Sequence, residues 1–176
     1  MTKNTRFTSN AFRLAVLALA IAGSGSAIAA NAVANSTSTV ITAINIAKSA
    51  DLAFGSFAAT AAAGTVTVTP AGGRTSTGVV EVASTPGAAK FDVTGQSGMG
   101  YSISVVATAL SDGASNSMTF TPISSLTAST ATSGTVSAGT LTGGAQSIYV
   151  GGVLSVAANQ ASGSYSGTVT ATVDYN

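Results

Sequence analysis

Glu81 and Asp92 are the residues best placed for chemistry, because general acid and base catalysis needs only two carboxylates at a suitable separation. They lie on predicted strands that follow one another along the chain. The sequence has no histidine and no cysteine, which excludes histidine-based triads, thiol nucleophiles and metal sites built from imidazole or thiolate. Sparse carboxylates in a β protein usually serve as solvating charges, so the composition indicates a non-enzymatic protein without cofactor or metal.

Two loops could bind a small ion. Residues 112–116 (DGASN) offer oxygen ligands for calcium but lack the spacing and the terminal bidentate acid of a calcium loop. A hairpin turn at Asp112-Gly113 is the favoured interpretation. Gly72-Gly73-Arg74 could form a nest of amides for an anion. Because no strand, loop and helix pattern surrounds these glycines, a plain turn is favoured there too.

Tyrosines could supply a flat platform for a sugar if the fold brought them together. They are spread over three predicted strands, however, so we expect them to cap the core or to sit at the rims of the sheets. The four residues are Tyr101, Tyr149, Tyr165 and Tyr175.

Residues 1–29 have the pattern of a secretory signal peptide. Basic residues precede the apolar run Leu14 to Ala22, which is too short to span a bilayer as a membrane anchor, since a span needs roughly 20 residues. Small residues at Ala27 and Ala29 predict cleavage before Ala30, with residues 32–34 (AVA) as the second choice. We therefore expect export through the inner membrane to the periplasm, then to the cell surface or the medium, with no membrane span in the mature protein.

Charge is scarce after residue 29. The basic residues there are Lys48, Arg74 and Lys90, and the acidic ones are Asp51, Glu81, Asp92, Asp112 and Asp174. No basic patch remains that could hold nucleic acid or an anionic membrane. Charge is one of the usual protections of exposed sheet edges, so its scarcity makes pairing between edges of different chains a realistic mode of assembly.

Apolar residues recur with a period of two rather than three or four, which predicts an all-β protein. Nine short strands in one domain (40–176), preceded by a flexible extension (30–39), indicate an antiparallel β-sandwich. The predicted strands cover 40–47, 52–57, 65–69, 79–83, 90–94, 101–109, 118–122, 147–156 and 165–175. Residues 124–146 are almost entirely Ser, Thr, Ala and Gly, and are compatible with either weak edge strands or a long loop.

The bulkier residues on the repeating faces form the predicted core, and alanine must fill much of the remainder. These residues are Ile44, Ile46, Leu52, Phe54, Phe57, Val66, Val68, Phe91, Val93, Tyr101, Ile103, Val105, Phe120, Ile148, Val150, Leu154, Val156, Val169 and Val173.

Four segments resemble a family of secreted bacterial proteins known as domain of unknown function 4402. The resemblance covers nearly all of the mature chain, and it implies an immunoglobulin-like β-sandwich while implying little about activity. The matching segments are 41–57 (ITAINIAKSADLAFGSF), 64–78 (GTVTVTPAGGRTSTG), 91–104 (FDVTGQSGMGYSIS) and 148–176 (IYVGGVLSVAANQASGSYSGTVTATVDYN).

The C-terminal segment is also similar to subunits of chaperone-usher pili and to the spore coat U domain. Both families end in an alternating strand with a penultimate aromatic residue and a glycine fourteen positions from the end, here Tyr175 and Gly163. Such subunits lack one strand, which a periplasmic chaperone lends first and the extension of the next subunit then replaces. The resemblance assigns this assembly strand to Gly163, Tyr165, Val169, Ala171, Val173 and Tyr175, and the donor segment to Ala30, Ala32 and Ala34.

Two functions are therefore expected. One is a structural subunit of a bacterial surface or fimbria-like assembly that polymerises by β-strand complementation with itself or related subunits, helped by a chaperone and an outer-membrane usher. The other is a monomeric secreted β-sandwich that binds a glycan or another surface polymer. A complete sandwich could end in the same alternating strand, and an exposed aromatic cluster would favour the binding module.

Overall fold

The computed structural model describes residues 29–176 and divides the chain into two units, with the boundary between Thr39 and Val40. Residues 29–39 are exposed and contain no helix or strand. The predicted signal peptide lies outside the described residues except for its last position, Ala29. No helix in the described part of the chain is long and apolar enough to cross a membrane.

The second unit is built from twelve strands, all paired antiparallel, which confirms the all-β prediction. The strands are β1 (Asn45–Ala50), β2 (Phe57–Ala59), β3 (Gly64–Val68), β4 (Arg74–Thr77), β5 (Val79–Glu81), β6 (Ala89–Thr94), β7 (Gly100–Ala107), β8 (Leu110–Ser111), β9 (Ser117–Ser125), β10 (Ala138–Thr140), β11 (Ala145–Val156) and β12 (Val169–Tyr175). A short 3₁₀ helix, Thr142–Gly144, connects β10 to β11.

The strands form one large sheet, one three-stranded sheet and a small ribbon. The large sheet has the order β1-β6-β11-β3-β4, with β9 on the other side of β11 and β8 paired to β9. The three-stranded sheet has the order β10-β7-β12, and β2 pairs with β5 in the ribbon. Buried side chains from β6 and β11 pack with those from β7 and β12 in one cluster, so the two main sheets share a core.

Strand β11 organises the large sheet because it has different partners along its length. Its first half pairs with β6 and its second half with β3, while β9 pairs along the opposite edge. Gly151 and Gly152 lie where the partner changes from β6 to β3. A Cβ at Gly151 would collide with the carbonyl oxygen of Val68, and one at Gly152 with the ring of Phe120. The close approach of three strands here therefore requires glycine.

Most of the predicted core is confirmed. Thirteen of the nineteen predicted residues are buried, and the other six, Ile44, Ile46, Leu52, Phe57, Val105 and Val169, are half-buried or pack against the core. Buried residues that the prediction missed are Ala89, Met118, Ile123 and Leu141.

Several predicted strand boundaries are wrong for identifiable reasons. Residues 52–57 are interrupted at Gly55, whose φ of 75° breaks the extended backbone. The first strand begins at Asn45 instead of Val40, because the carbonyl and amide of Thr42 bond to the side chains of Tyr175 and Gln96. The uncertain segment 124–146 contains β10 and the fully buried Leu141, whose amide donates to the carbonyl of Met99 (3.0 Å).

We predict that Gly151→Ala lowers the free energy of unfolding by about 1–3 kcal/mol, because the backbone of Val68 must move to admit the methyl group. Gly87→Ala is the matched control, since a Cβ there meets no atom within 4 Å. Urea denaturation of both variants measures the effect. Equal stability of the two variants would contradict the close approach at β11.

Candidate functional site

Strand β12 shows the alternation that the sequence predicts. Val173 is buried and Val169, Ala171 and Tyr175 are half-buried, while the threonines between them are exposed. The strand begins at Val169, not at residue 165 as predicted. Tyr165 instead lies in the loop after β11, where its hydroxyl donates to the carbonyl of Ala161 (2.8 Å) and accepts from the Gln160 amide (2.9 Å).

One backbone edge of β12 has no strand beside it. Within residues 29–176, β12 pairs with β7 alone. The carbonyl of Thr168 accepts from the amide of Thr108 (3.0 Å), and the amide of Asn176 donates to the carbonyl of Gly100 (3.3 Å), so even-numbered residues face β7. Because backbone direction alternates along an antiparallel strand, Val169, Ala171 and Val173 direct their N–H and C=O groups to the open side.

Strand β12 lies close to β1, the edge strand of the large sheet, and we call the space between these two strands the seam. The Tyr175 hydroxyl closes one end of it. That hydroxyl accepts from the amide of Gln96 (2.6 Å) and donates to the carbonyl of Thr42 (2.8 Å). Gly95 makes room, since a Cβ there would collide with the same hydroxyl. The penultimate aromatic residue thus joins the C-terminus to the β6–β7 turn and to the segment before β1.

The other end of the seam opens into a groove of about 1110 Å³. Residues 48–59 form one wall of this seam groove and residues 159–169 form the other. Apolar side chains form its floor: Phe54, Ala89, Phe91, Leu110, Met118, Phe120, Leu154 and Val169. Gly163 and Tyr165 belong to the second wall, so all the predicted assembly residues border the seam or its groove, although only four of them lie on β12.

The seam groove separates two parts of the core. Phe91 and Val173 belong to one buried cluster, whereas Phe54, Phe120 and Leu154 belong to the other. Leu52 and Val169 contact both clusters without being fully buried. The core is therefore incomplete at this end, and apolar side chains entering the groove would be buried on the surfaces of both clusters.

Glu81 and Asp92, the two carboxylates that could have served catalysis, bind to different partners and not to each other's. Glu81 on β5 accepts from the Ser76 hydroxyl (2.7 Å) and from Arg74 (3.2 Å), and the Ser76 hydrogen bond lowers its pKa. Asp92 on β6 accepts from the Ser147 hydroxyl (2.7 Å) and pairs with Lys90 (3.0 Å). The Ser147 hydrogen bond is the main reason that the pKa of Asp92 falls to about 2.

The two loops that could have bound ions are turns. Asp112 closes the β8–β9 hairpin by accepting from the amides of Ala114 (2.9 Å) and Asn116 (3.2 Å) and from the Asn116 side chain (2.6 Å), which lowers its pKa. In the β3–β4 turn, the amide of Gly72 donates to the carbonyl of Thr69 (2.8 Å) and is not free for an anion. No group of three carboxylates that could hold a metal ion occurs in the described part of the chain.

The tyrosines do not form an exposed cluster, although Tyr175 on β12 lies directly opposite Tyr101 on β7. Tyr101 is fully buried, with its ring against Gly139, and burial raises its pKa. Tyr149 lies on β11 with the Lys90 ammonium 5.9 Å from its ring centre. Tyr165 lines the seam groove and Tyr175 closes the far end of the seam. Because Tyr101 is buried and the Tyr175 hydroxyl is engaged within the subunit, this pair does not offer a stacking platform for a sugar.

The fold and site define an all-β protein of antiparallel sheets in which, within residues 29–176, the edge strands β1 and β12 border an apolar groove. A family model described as "Domain of unknown function (DUF4402)" matches residues 44–175, so the chain belongs to that family. None of the curated proteins and none of the solved structures matches the chain.

We predict that Tyr175→Phe lowers the free energy of unfolding by about 1–3 kcal/mol, because the amide of Gln96 loses its acceptor. Tyr149→Phe is the control, since Tyr149 contacts Lys90 through its ring rather than its hydroxyl. Urea denaturation monitored by circular dichroism compares the two. If Tyr175→Phe is no less stable than the control, the hydroxyl does not hold the seam closed.

Proposed function

We propose that this protein is a non-enzymatic structural subunit of a bacterial surface or fimbria-like assembly, exported from the cell interior and polymerised by β-strand addition. The observation that carries this proposal is the unpaired edge of β12 next to a gap in the core. In this proposal the fold is an immunoglobulin-like sandwich short of one strand. An incoming strand would pair with the backbone of β12 and place alternate side chains in the seam groove.

Of the two edges that border the seam, β12 is the better acceptor. The register of β1 with β6 shifts between Lys48 and Ala50, and Lys48 forms an exposed ion pair with Asp51. Bulges and charges are two of the means by which proteins prevent pairing at an exposed edge. Residues Val169–Val173 of β12 carry neither. The incoming strand therefore adds to β12 rather than to β1.

The proposed partners are copies of this chain or related subunits, with a periplasmic chaperone and an outer-membrane usher handling the subunit beforehand. Ala30, Ala32 and Ala34 form the proposed donor segment, and residues 30–34 are exposed. The engagement of Glu81, Asp92 and Asp112 in local hydrogen bonds supports the non-enzymatic role. The adjacent pair Tyr101 and Tyr175 is not an exposed aromatic cluster, since Tyr101 is buried, and this favours assembly over the alternative of a glycan-binding module.

We predict that proline substitutions at two neighbouring positions of β12 have different effects, one on assembly and the other on the stability of the fold. Ala171→Pro removes an N–H that points to the open side, so the subunit folds but no longer accepts a strand. Thr172→Pro removes an N–H that faces β7, so it destabilises the subunit by about 1–3 kcal/mol. Thermal unfolding and electron microscopy of surface material measure the two effects. Fibres formed by Ala171→Pro would exclude β12 as the acceptor.

Cysteine cross-linking tests the proposal directly, because the chain has no cysteine of its own. If Ala32 and Ala34 face the groove, Val33 lies on the solvent side next to outward-facing Thr172. The exported Val33→Cys/Thr172→Cys variant should then give a disulfide-linked ladder on non-reducing gels. Val33→Cys/Thr121→Cys is the matched control, since Thr121 is exposed on β9 of the other sheet. Equal ladders from both variants, or none from either, would refute strand addition by this extension.

A further inference from the structure

Arg74, the first residue of β4, is the one cation among residues 29–176 that is buried. Its side chain is 8% exposed, whereas the Lys48 and Lys90 side chains are 56% and 35% exposed. Its guanidinium donates to the carbonyls of Phe54, Ser56 and Val82, each at 3.2 Å. Burying a cation costs free energy unless its N–H donors are hydrogen-bonded. The several acceptors around Arg74 therefore indicate that this side chain has a structural role.

The hydrogen-bond acceptors around Arg74 lie in two other segments of the chain, and Arg74 connects both of them to β4. Phe54 and Ser56 lie in the wall of the seam groove, and Val82 follows β5. Ser84 completes the connection, since its hydroxyl accepts from Arg74 (3.1 Å) and from the amide of Ser56 (2.9 Å). A Cβ at Gly55 would come within 2.5 Å of both Arg74 and Ser84. The wall is thus packed against the guanidinium with no room for a side chain.

We propose that Arg74 is a positioning residue that fixes the backbone of the wall at residues 54–56 and so keeps the seam groove open before a strand arrives. This inference rests on the proposed function of the groove. An empty groove with an apolar floor tends to collapse, because collapse removes apolar surface from water. The wall itself has little regular structure to resist this, since β2 is three residues long and pairs only with β5 in the described part.

Only arginine fits this position. A guanidinium has five N–H donors in a rigid plane and can bond to several carbonyls at once, whereas a lysine ammonium has three donors on a flexible chain. The ion pair with Glu81 (3.2 Å) contributes less to this arrangement than the bonds to the carbonyls, because the Glu81 carboxylate also accepts from Ser76 and its side chain is 45% exposed. Three of the acceptors are backbone carbonyls, so the arrangement does not depend on the charge of Glu81.

Hydrogen exchange of two amides reports on the wall. The amide of Ser56 donates to the Ser84 hydroxyl (2.9 Å) and the amide of Val82 donates to the carbonyl of Ser56 (3.1 Å). We expect Arg74→Lys and Arg74→Met to lower the protection of both amides about tenfold or more, with protection in β11 unchanged. Glu81→Gln should leave both amides protected. Lys90→Met removes the exposed pair with Asp92 and is the matched control.

The Val33→Cys/Thr172→Cys ladder, measured in the same Arg74 variants, is the second readout, and it should weaken with Arg74→Met but not with Lys90→Met. If protection falls in all strands together, Arg74 merely stabilises the fold. If protection at Ser56 and Val82 is unchanged, Arg74 does not hold the wall. Either result overturns the inference. If no ladder forms even with Arg74 present, strand addition fails, while the exchange data still decide the role of Arg74.

Discussion

The proposed assembly depends on backbone groups that have no strand partner within residues 29–176: the outward N–H and C=O groups of Val169, Ala171 and Val173. The residues that present these groups also direct their side chains into the protein, because both directions alternate with a period of two along a strand. An added strand would therefore gain hydrogen bonds from the same residues whose side chains line the incomplete core. Backbone pairing and apolar burial are coupled at this edge by geometry alone.

The few charges of the mature chain are placed where they stabilise local geometry. Three ion pairs, Lys48–Asp51, Arg74–Glu81 and Lys90–Asp92, include six of the eight charged residues. Asp112 organises a hairpin, which leaves Asp174 as the only charged residue on β12. Exposed ion pairs contribute little stability, so the role of Lys48 and Asp51 is better understood as keeping other strands away from β1. The lack of charge in residues 169–173 of β12 is then a difference between the two edges that border the seam, and not only a property of the composition.

The sequence was sufficient to predict the strands whose inward and outward residues differ in hydrophobicity. β3, β6 and β11 are correct within two residues at each end, and the inward face of β12 is correct from Val169 to Tyr175 but not at Tyr165, which lies in a loop. Strands β4 and β10 were missed because Ser, Thr, Ala and Gly give no contrast between the two faces. The walls of the seam groove and the role of Arg74 could not be predicted, since they depend on pairing between segments far apart in the chain. The sequence assigned Tyr175 to the assembly strand, and the structure gives its hydroxyl two partners within the subunit, which the sequence did not predict.

The size of the seam groove limits how tightly a copy of this chain could fill it. Each alanine at positions 30, 32 and 34 would bring a single methyl group into a space of about 1110 Å³. Burying one such group contributes about 0.8 kcal/mol. A strand with leucine, isoleucine or phenylalanine at alternate positions would fill more of the groove and bind more tightly. If the proposed strand addition occurs, we therefore expect it to be weaker between identical copies than with a related subunit that has a bulkier extension.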